Sequence, residues 1–190
     1  MVRKSEQIFF VEGECEINFV KDLCQKGYIN LAGKIEKFNI CYHHVDKMIR
    51  KYEKINKHID FYFIFDIDVL ETNANKEQMT FSENWKKLKN IKQNKYCVIQ
   101  VKNLYDELVY SCGHLNKKLD LFQLFDTDSE NEFKENFINQ NNRLEKLDSK
   151  GFDISKLWCQ KTPSVLSQYK IERKQGANFQ SFFNRKTKLV

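Results

Sequence analysis

A single proline, Pro163, and only six glycines in 190 residues leave no linker-like stretch, and no low-complexity tract or internal repeat is visible. Hydrophobic residues make up 41% and aromatics 14%, with sixteen Phe, which argues against a disordered chain. Cys15, Cys24, Cys41, Cys97, Cys112 and Cys159 never form a C-x-x-C pair, so neither a zinc knuckle nor a dense disulfide scaffold is signalled. Most are expected as small buried hydrophobes, in a reducing cytoplasm. No apolar run is long enough to cross a bilayer, and the run before Glu12 is too short for a signal peptide, so no membrane partner is expected. The length suits one compact domain.

Charge is plentiful but unevenly placed. The formal net charge is +6; from residue 156 onward eight basic residues face the single acid Glu172, whereas the first 155 residues hold the other 24 bases and 25 acids. A positive excess confined to one end suits contact with a polyanion, because neutralised phosphates release counterions. A solvated basic terminus without a partner is the alternative.

Hydrophobic periodicity alternates between two kinds of element. "QIFFV" at 7–11 reads as a buried strand stopped by Glu12-Gly13, and Ile17, Val20, Leu23 and Cys24 then fall at helical spacing. "KFNICY" at 37–42 reads as a second strand, followed by an amphipathic helix carrying Val45, Met48, Ile49, Tyr52 and Ile55. "DFYFIFDID" is a third strand, Phe81, Trp85 and Leu88 mark another helix, and "YCVIQV" at 96–101 is a fourth strand. Continuously apolar strands separated by helices predict a doubly wound, mainly parallel α/β sheet with helices on both faces. This core spans residues 1–115. Residues 116–190 are expected as a helical, basic extension packed on the same domain. There "DLFQLF" is followed by a long helix opened by Ser129 and Glu132 at capping-box spacing, striped by Phe133, Phe137, Leu144 and Leu147, and ended by Gly151.

Acids sit where such a sheet collects ligands. Glu12 follows the first strand, and Asp66 and Asp68 close the third. Ligands of open parallel sheets bind outside the strands' carboxyl ends, where neighbouring strands lie about 4.8 Å apart. If the third strand continues, its period of two puts Asp66 and Asp68 on one side and Ile67 on the other. If helix starts directly after Gly13, Glu12 and Glu16 share a side as well, leaving Glu14 outward. Four carboxylates so placed would repel one another unless a hard divalent cation such as Mg²⁺ or Mn²⁺ joined them.

"FFVEGECE" followed by "FIFDIDVLE" resembles the Toprim domain, the metal-binding fold of primases, type IA and type II topoisomerases, RNA-maturation nucleases and OLD-type nucleases. The resemblance implies a Rossmann-like fold, Glu12 as general acid/base and metal neighbour, and Asp66 and Asp68 as Mg²⁺ ligands. The V-E-G-x-x-E form, with Glu16 as second acid, is similar to the OLD-like and RloB-like branch. In "VKNLYDELVY", Asn103 and Glu107 match the Asn and acid of that branch, making Glu107 a further metal-site position. The resemblance covers residues 7 to about 112. It implies a nuclease acting on DNA or RNA, a role in bacterial anti-phage defence, and an ATPase as partner protein, since no ATPase domain accompanies the motif.

Other motifs carry less. "GYINLAGK" lacks phosphate-loop spacing, since five residues separate Gly27 and Gly33 and Ile35 stands where Ser or Thr should be. His44 could reach the crevice, although an exposed His43-His44 pair is the simpler reading. Cys15 between two acids is disfavoured as a thiolate. In the basic end, Lys161, Lys170, Arg173 and Lys174 are expected to hold nucleic-acid backbone, while Phe182 and Phe183 pin the segment to the core. The leading expectation is a Mg²⁺-dependent phosphodiester-cleaving enzyme. A non-catalytic Toprim module that binds nucleic acid or a partner, and a nucleotide-binding doubly wound protein, are its alternatives.

Overall fold

The computed structural model describes residues 6–29, 33–55, 59–72, 75–161 and 164–169. Lys170, Arg173, Lys174, Phe182 and Phe183 lie outside them. Four parallel strands, β1 (Glu6–Val11), β2 (Lys34–Lys37), β3 (Ile59–Asp66) and β4 (Asn94–Gln100), form one sheet in the order β2-β1-β3-β4. The chain leaves β1 to one side and returns to its other side for β3. Strand order therefore reverses between the two central strands, the position where this architecture opens a crevice.

Both faces of the sheet are covered, which explains the unbroken apolar runs. Phe9, Val11, Tyr62, Ile64 and Val98 point into one core, shared with Phe19 and Leu23 of α1 (Glu14–Gln25) and Leu108 of α5 (Leu104–Ser111). Ile8, Phe10, Phe61, Phe63 and Phe65 point into the other. That second core also holds Met48 and Tyr52 of α2 (Asp46–Glu53), Leu70 of α3 (Asp68–Glu71), and Phe81, Trp85 and Leu88 of α4 (Asn75–Lys89). Leu121 of α6 (Lys118–Leu124), Phe133 and Phe137 of α7 (Glu130–Asn139), and Leu144 and Leu147 of α8 (Arg143–Asp148) belong to the first core. A 3₁₀ turn, Ser164–Tyr169, lays Leu166 into the second.

Three expectations change. β2 lies earlier than "KFNICY": at Asn39 the side chain accepts the Cys41 N–H at 2.8 Å, and a turn replaces strand. Its residues are Lys-rich and half-exposed, as suits an edge strand. Gly33 ahead of it has a packing reason, since a Cβ there would lie 1.8 Å from the Gln7 carbonyl oxygen. The long C-terminal helix is two, parted at residues 140–142, and the carbonyls freed there turn to a side chain. Arg143 donates to the carbonyls of Phe137, Ile138 and Gln140 while its guanidinium grips Asp22 of α1 at 2.6 and 3.0 Å. Finally, β3 stops at Asp66, and Asp68 is the first residue of α3 rather than a strand position. Ile67 is still buried in the second core, so the two aspartates are separated by a turn into helix and not by strand alternation.

Candidate functional site: an acidic centre at the switch point

Two backbones bring the acids together. Parallel pairing of β1 and β3 places their carboxyl ends side by side, and Glu12 Oε1 accepts the Asp66 N–H at 3.1 Å across 54 residues of sequence. On the β4 side, Ile67 N–H donates to the Gln100 carbonyl and Asp68 N–H to that of Lys102 at 3.4 Å. Lys102 can present its carbonyl this way because it adopts a left-handed φ of 68°, a conformation that costs a side-chain-bearing residue about 1 kcal/mol or more. Asp68 Oδ1 accepts the Val69 N–H at 2.7 Å, as expected of an acid in the first turn of a helix.

Glu16 is buried and faces the same crevice, held by helix chemistry. Gly13 caps α1 without a side-chain acceptor, and the Glu16 carboxylate folds back onto the N–H groups of Gly13 and of Glu16 itself. This is half of a capping box. Glu14 is exposed.

Burial and mutual repulsion dominate the electrostatics. Desolvation first, then the nearby Glu16 and Asp68 charges, push the Glu12 carboxyl up to about 8, although the Asp66 N–H works against them. Asp66 is pushed up to about 10 by desolvation and by Glu12, Glu16 and Asp68, with Lys118 opposing. Burial raises Glu16 too, moderated by its backbone bonds and by Lys134 and Lys37. Asp66 Oδ1 is buried and has no hydrogen-bond partner.

The residue types fit a hard cation: carboxylate oxygens, one buried and unpartnered, in a site whose charge is unfavourable alone. As the side chains stand, no three His, Cys, Asp or Glu donors among the described residues close on one point. Mg²⁺ does not require three, since it commonly takes one or two carboxylates and keeps its waters.

Glu107 is committed to other partners. It is fully buried, and both its oxygens are engaged: Oε1 accepts from the Val101 N–H at 2.7 Å and the Gln160 amide at 2.9 Å, and Oε2 accepts from the Trp158 N–H at 3.1 Å. It fastens the segment around Trp158 to the end of β4, and burial raises it to about 7. Asn103 is the α5 N-cap, its side chain accepting from Tyr105 and Asp106 N–H groups.

Several residues at the site gave no signal in the sequence. Tyr105 carries Lys118 and Lys134 at 5.7 and 6.0 Å from its ring centroid, and these lysines, with exposed Lys37, rim the acids. They come from three separate elements, so no run of charge betrays them. Buried Asn84 of α4 ties the turn after β2 in place through Val45 N–H and the carbonyls of Ile40 and His43. That turn presents Tyr42, 52% exposed, beside the centre. His43 and His44 are exposed. Cys15 is buried and its thiol is pushed up to about 12, chiefly by desolvation and then by Glu16. Of the four basic residues expected to hold backbone, only Lys161 is described, and it is exposed.

A groove of about 530 Å³ lined by His114, Asn116, Asp120, Gln123 and Lys150 lies along α6 and contains none of the acids. Among the described residues no helix is long and apolar enough to cross a membrane. Compared with models of protein families, with curated proteins and with solved structures, the chain finds no match.

Proposed function

We propose that the chain is a Toprim-like phosphodiesterase that cleaves DNA or RNA with Mg²⁺ or Mn²⁺, of the OLD-like and RloB-like kind implied by its motifs. The observation that carries this reading is the junction of Glu12 and Asp66 at the switch point, desolvated and incompletely satisfied. Asp66 and Asp68, with Glu12 or Glu16, would hold the ion, which when bound supplies charge stabilisation to the attacking and leaving oxygens. Where Glu16 rather than Glu12 joins the aspartates, Glu12 would be the acid/base group: burial and the neighbouring acids raise it in the metal-free site, and a bound cation would lower it again toward the carboxylate range. Lys37, Lys118 and Lys134 would bind backbone phosphates at the rim, and the basic terminus with Lys161, Lys170, Arg173 and Lys174 would add sequence-independent attraction.

The direct trial incubates purified protein with single- and double-stranded DNA and RNA and either metal. Metal-dependent cleavage is expected, lost by about 100-fold or more in Glu12→Gln and Asp66→Asn. Cleavage that survives both substitutions overturns the site. A second reading, a non-catalytic module that binds nucleic acid or an ATPase-type partner, draws support from the use of Glu16 as a helix cap and, among the described residues, from the lack of three converging donors. Nucleic-acid binding without turnover under every metal condition would select it. A role in anti-phage defence and a cytoplasmic location belong to the same family-level proposal.

A further inference from the structure

Beside Asp66, on the next strand, lies a residue the acidic reading does not use. Gln100 ends β4, is 0% exposed, and neither its amide oxygen nor its amide nitrogen has a hydrogen-bond partner. It pairs in register with Asp66. Register partners in a parallel ladder present their side chains to the same face. Two residues earlier, Ile64 and Val98 form such a pair, and both lie in the first core. Gln100 and Asp66 thus project toward one region at the carboxyl edge of the sheet, between the ends of β3 and β4.

Their deficits are complementary. Asp66 Oδ1 is a buried acceptor without a donor, and Gln100 Nε2 is a buried donor without an acceptor. A buried polar group left unmatched costs about 1–3 kcal/mol, and such groups call for a specific explanation, commonly a water or an ion. Leu or Met would fill the core at position 100 without that cost. Structure alone therefore gives no reason for an amide there.

The two atoms do not bond each other in this structure. We infer that Gln100 is the positioning residue of the acidic centre: its amide N–H, through one bridging water, holds Asp66 Oδ1 and so fixes the direction in which Asp66 presents its other oxygen to a divalent cation. This rests on the proposed metal site and goes beyond it, since no motif assigns position 100. Groups that orient a ligating carboxylate without touching the metal commonly alter its affinity by about 10- to 100-fold.

The test is Mn²⁺ binding by calorimetry, with no substrate present, for the wild type, Gln100→Met and Gln100→Leu, alongside thermal melts without metal. The expected result is Mn²⁺ affinity lower by about 10- to 100-fold in both variants, with metal-free melting temperatures equal to or above wild type. Unchanged affinity in either folded variant overturns the inference alone. Loss of the fold in both shows the amide serving the core, and also overturns it. A wild type that binds no Mn²⁺ overturns the metal site itself, and this inference with it.

Discussion

Glu12 illustrates how a single side chain can be legible in position and not in character. A carboxylate directly after an apolar strand is visible in the letters, and so is Asp66. What the letters do not show is that both are desolvated in the fold, with ordinary carboxyl behaviour displaced upward to about 8 and about 10. The sign of the consequence is fixed. A carboxyl whose folded value is raised contributes its stability fully below its unfolded value, and that contribution is lost as pH rises through the folded value. The metal-free protein should therefore lose stability from about pH 4.5 to about 8, the window of Glu12. Chemical denaturation across this range should show the decline, Glu12→Gln should make it shallower by that one group's share while Asp66 and Glu107 keep the rest, and Mg²⁺ should reverse it. A flat profile in the wild type would refute the assigned burial. Gln100 was illegible because a glutamine at a strand end reads as a solvated terminus, and only register with Asp66 gives it meaning.

At the scale of elements, apolar periodicity located α2, α4 and β3 well, because burial on a helix stripe or on two sheet faces leaves a repeating signal. It failed at β2, whose pairing rests on backbone bonds at an edge and needs no apolar side chains. It also missed the break between α7 and α8, since the apolar stripe of Phe133, Phe137, Leu144 and Leu147 continues through it. Arg143 makes the break tolerable, and its buried pairing with Asp22 clamps α8 and the end of α7 onto α1. Asp22→Ala would strand that guanidinium without its counter-ion, at a cost of about 3–5 kcal/mol. Urea denaturation should register it as a lower midpoint. A loss below about 1 kcal/mol would show the pair to be dispensable. Glu16 lies on the same helix, so the clamp also holds one wall of the acidic centre.

For the molecule as a whole, charge divides into an even body and a basic end, and the fold brings lysines near the acids that composition hides. Lys37, Lys118 and Lys134 come there from different parts of the chain, Lys118 paired with Asp106 at 3.0 Å and Lys134 with Glu130 at 3.0 Å. If they meet phosphates, Lys118→Ala/Lys134→Ala should lower nucleic-acid affinity similarly for all sequences and reduce the salt dependence of binding by about two released ions. Fluorescence anisotropy across a salt series would measure it, and an unchanged slope would remove Lys118 and Lys134 from the phosphate contacts. The parallel architecture itself was legible from the alternation of strand and helix patterns. The meeting of particular side chains at its edge was not, because spacing along a chain does not specify distance across a sheet.

The bond between Glu12 and the Asp66 N–H joins residues 54 positions apart, and it exists only when β1 and β3 have paired. Contacts of that sequence separation are paid for in loop-closure entropy before they return any stability, so they form late or together with the whole sheet. No excised peptide can carry the acidic centre, and an ion captured there adds its binding free energy to the folded state alone. Such an ion would slow unfolding of the entire sheet far more than it would hasten folding, acting as a bolt shot after the door has closed.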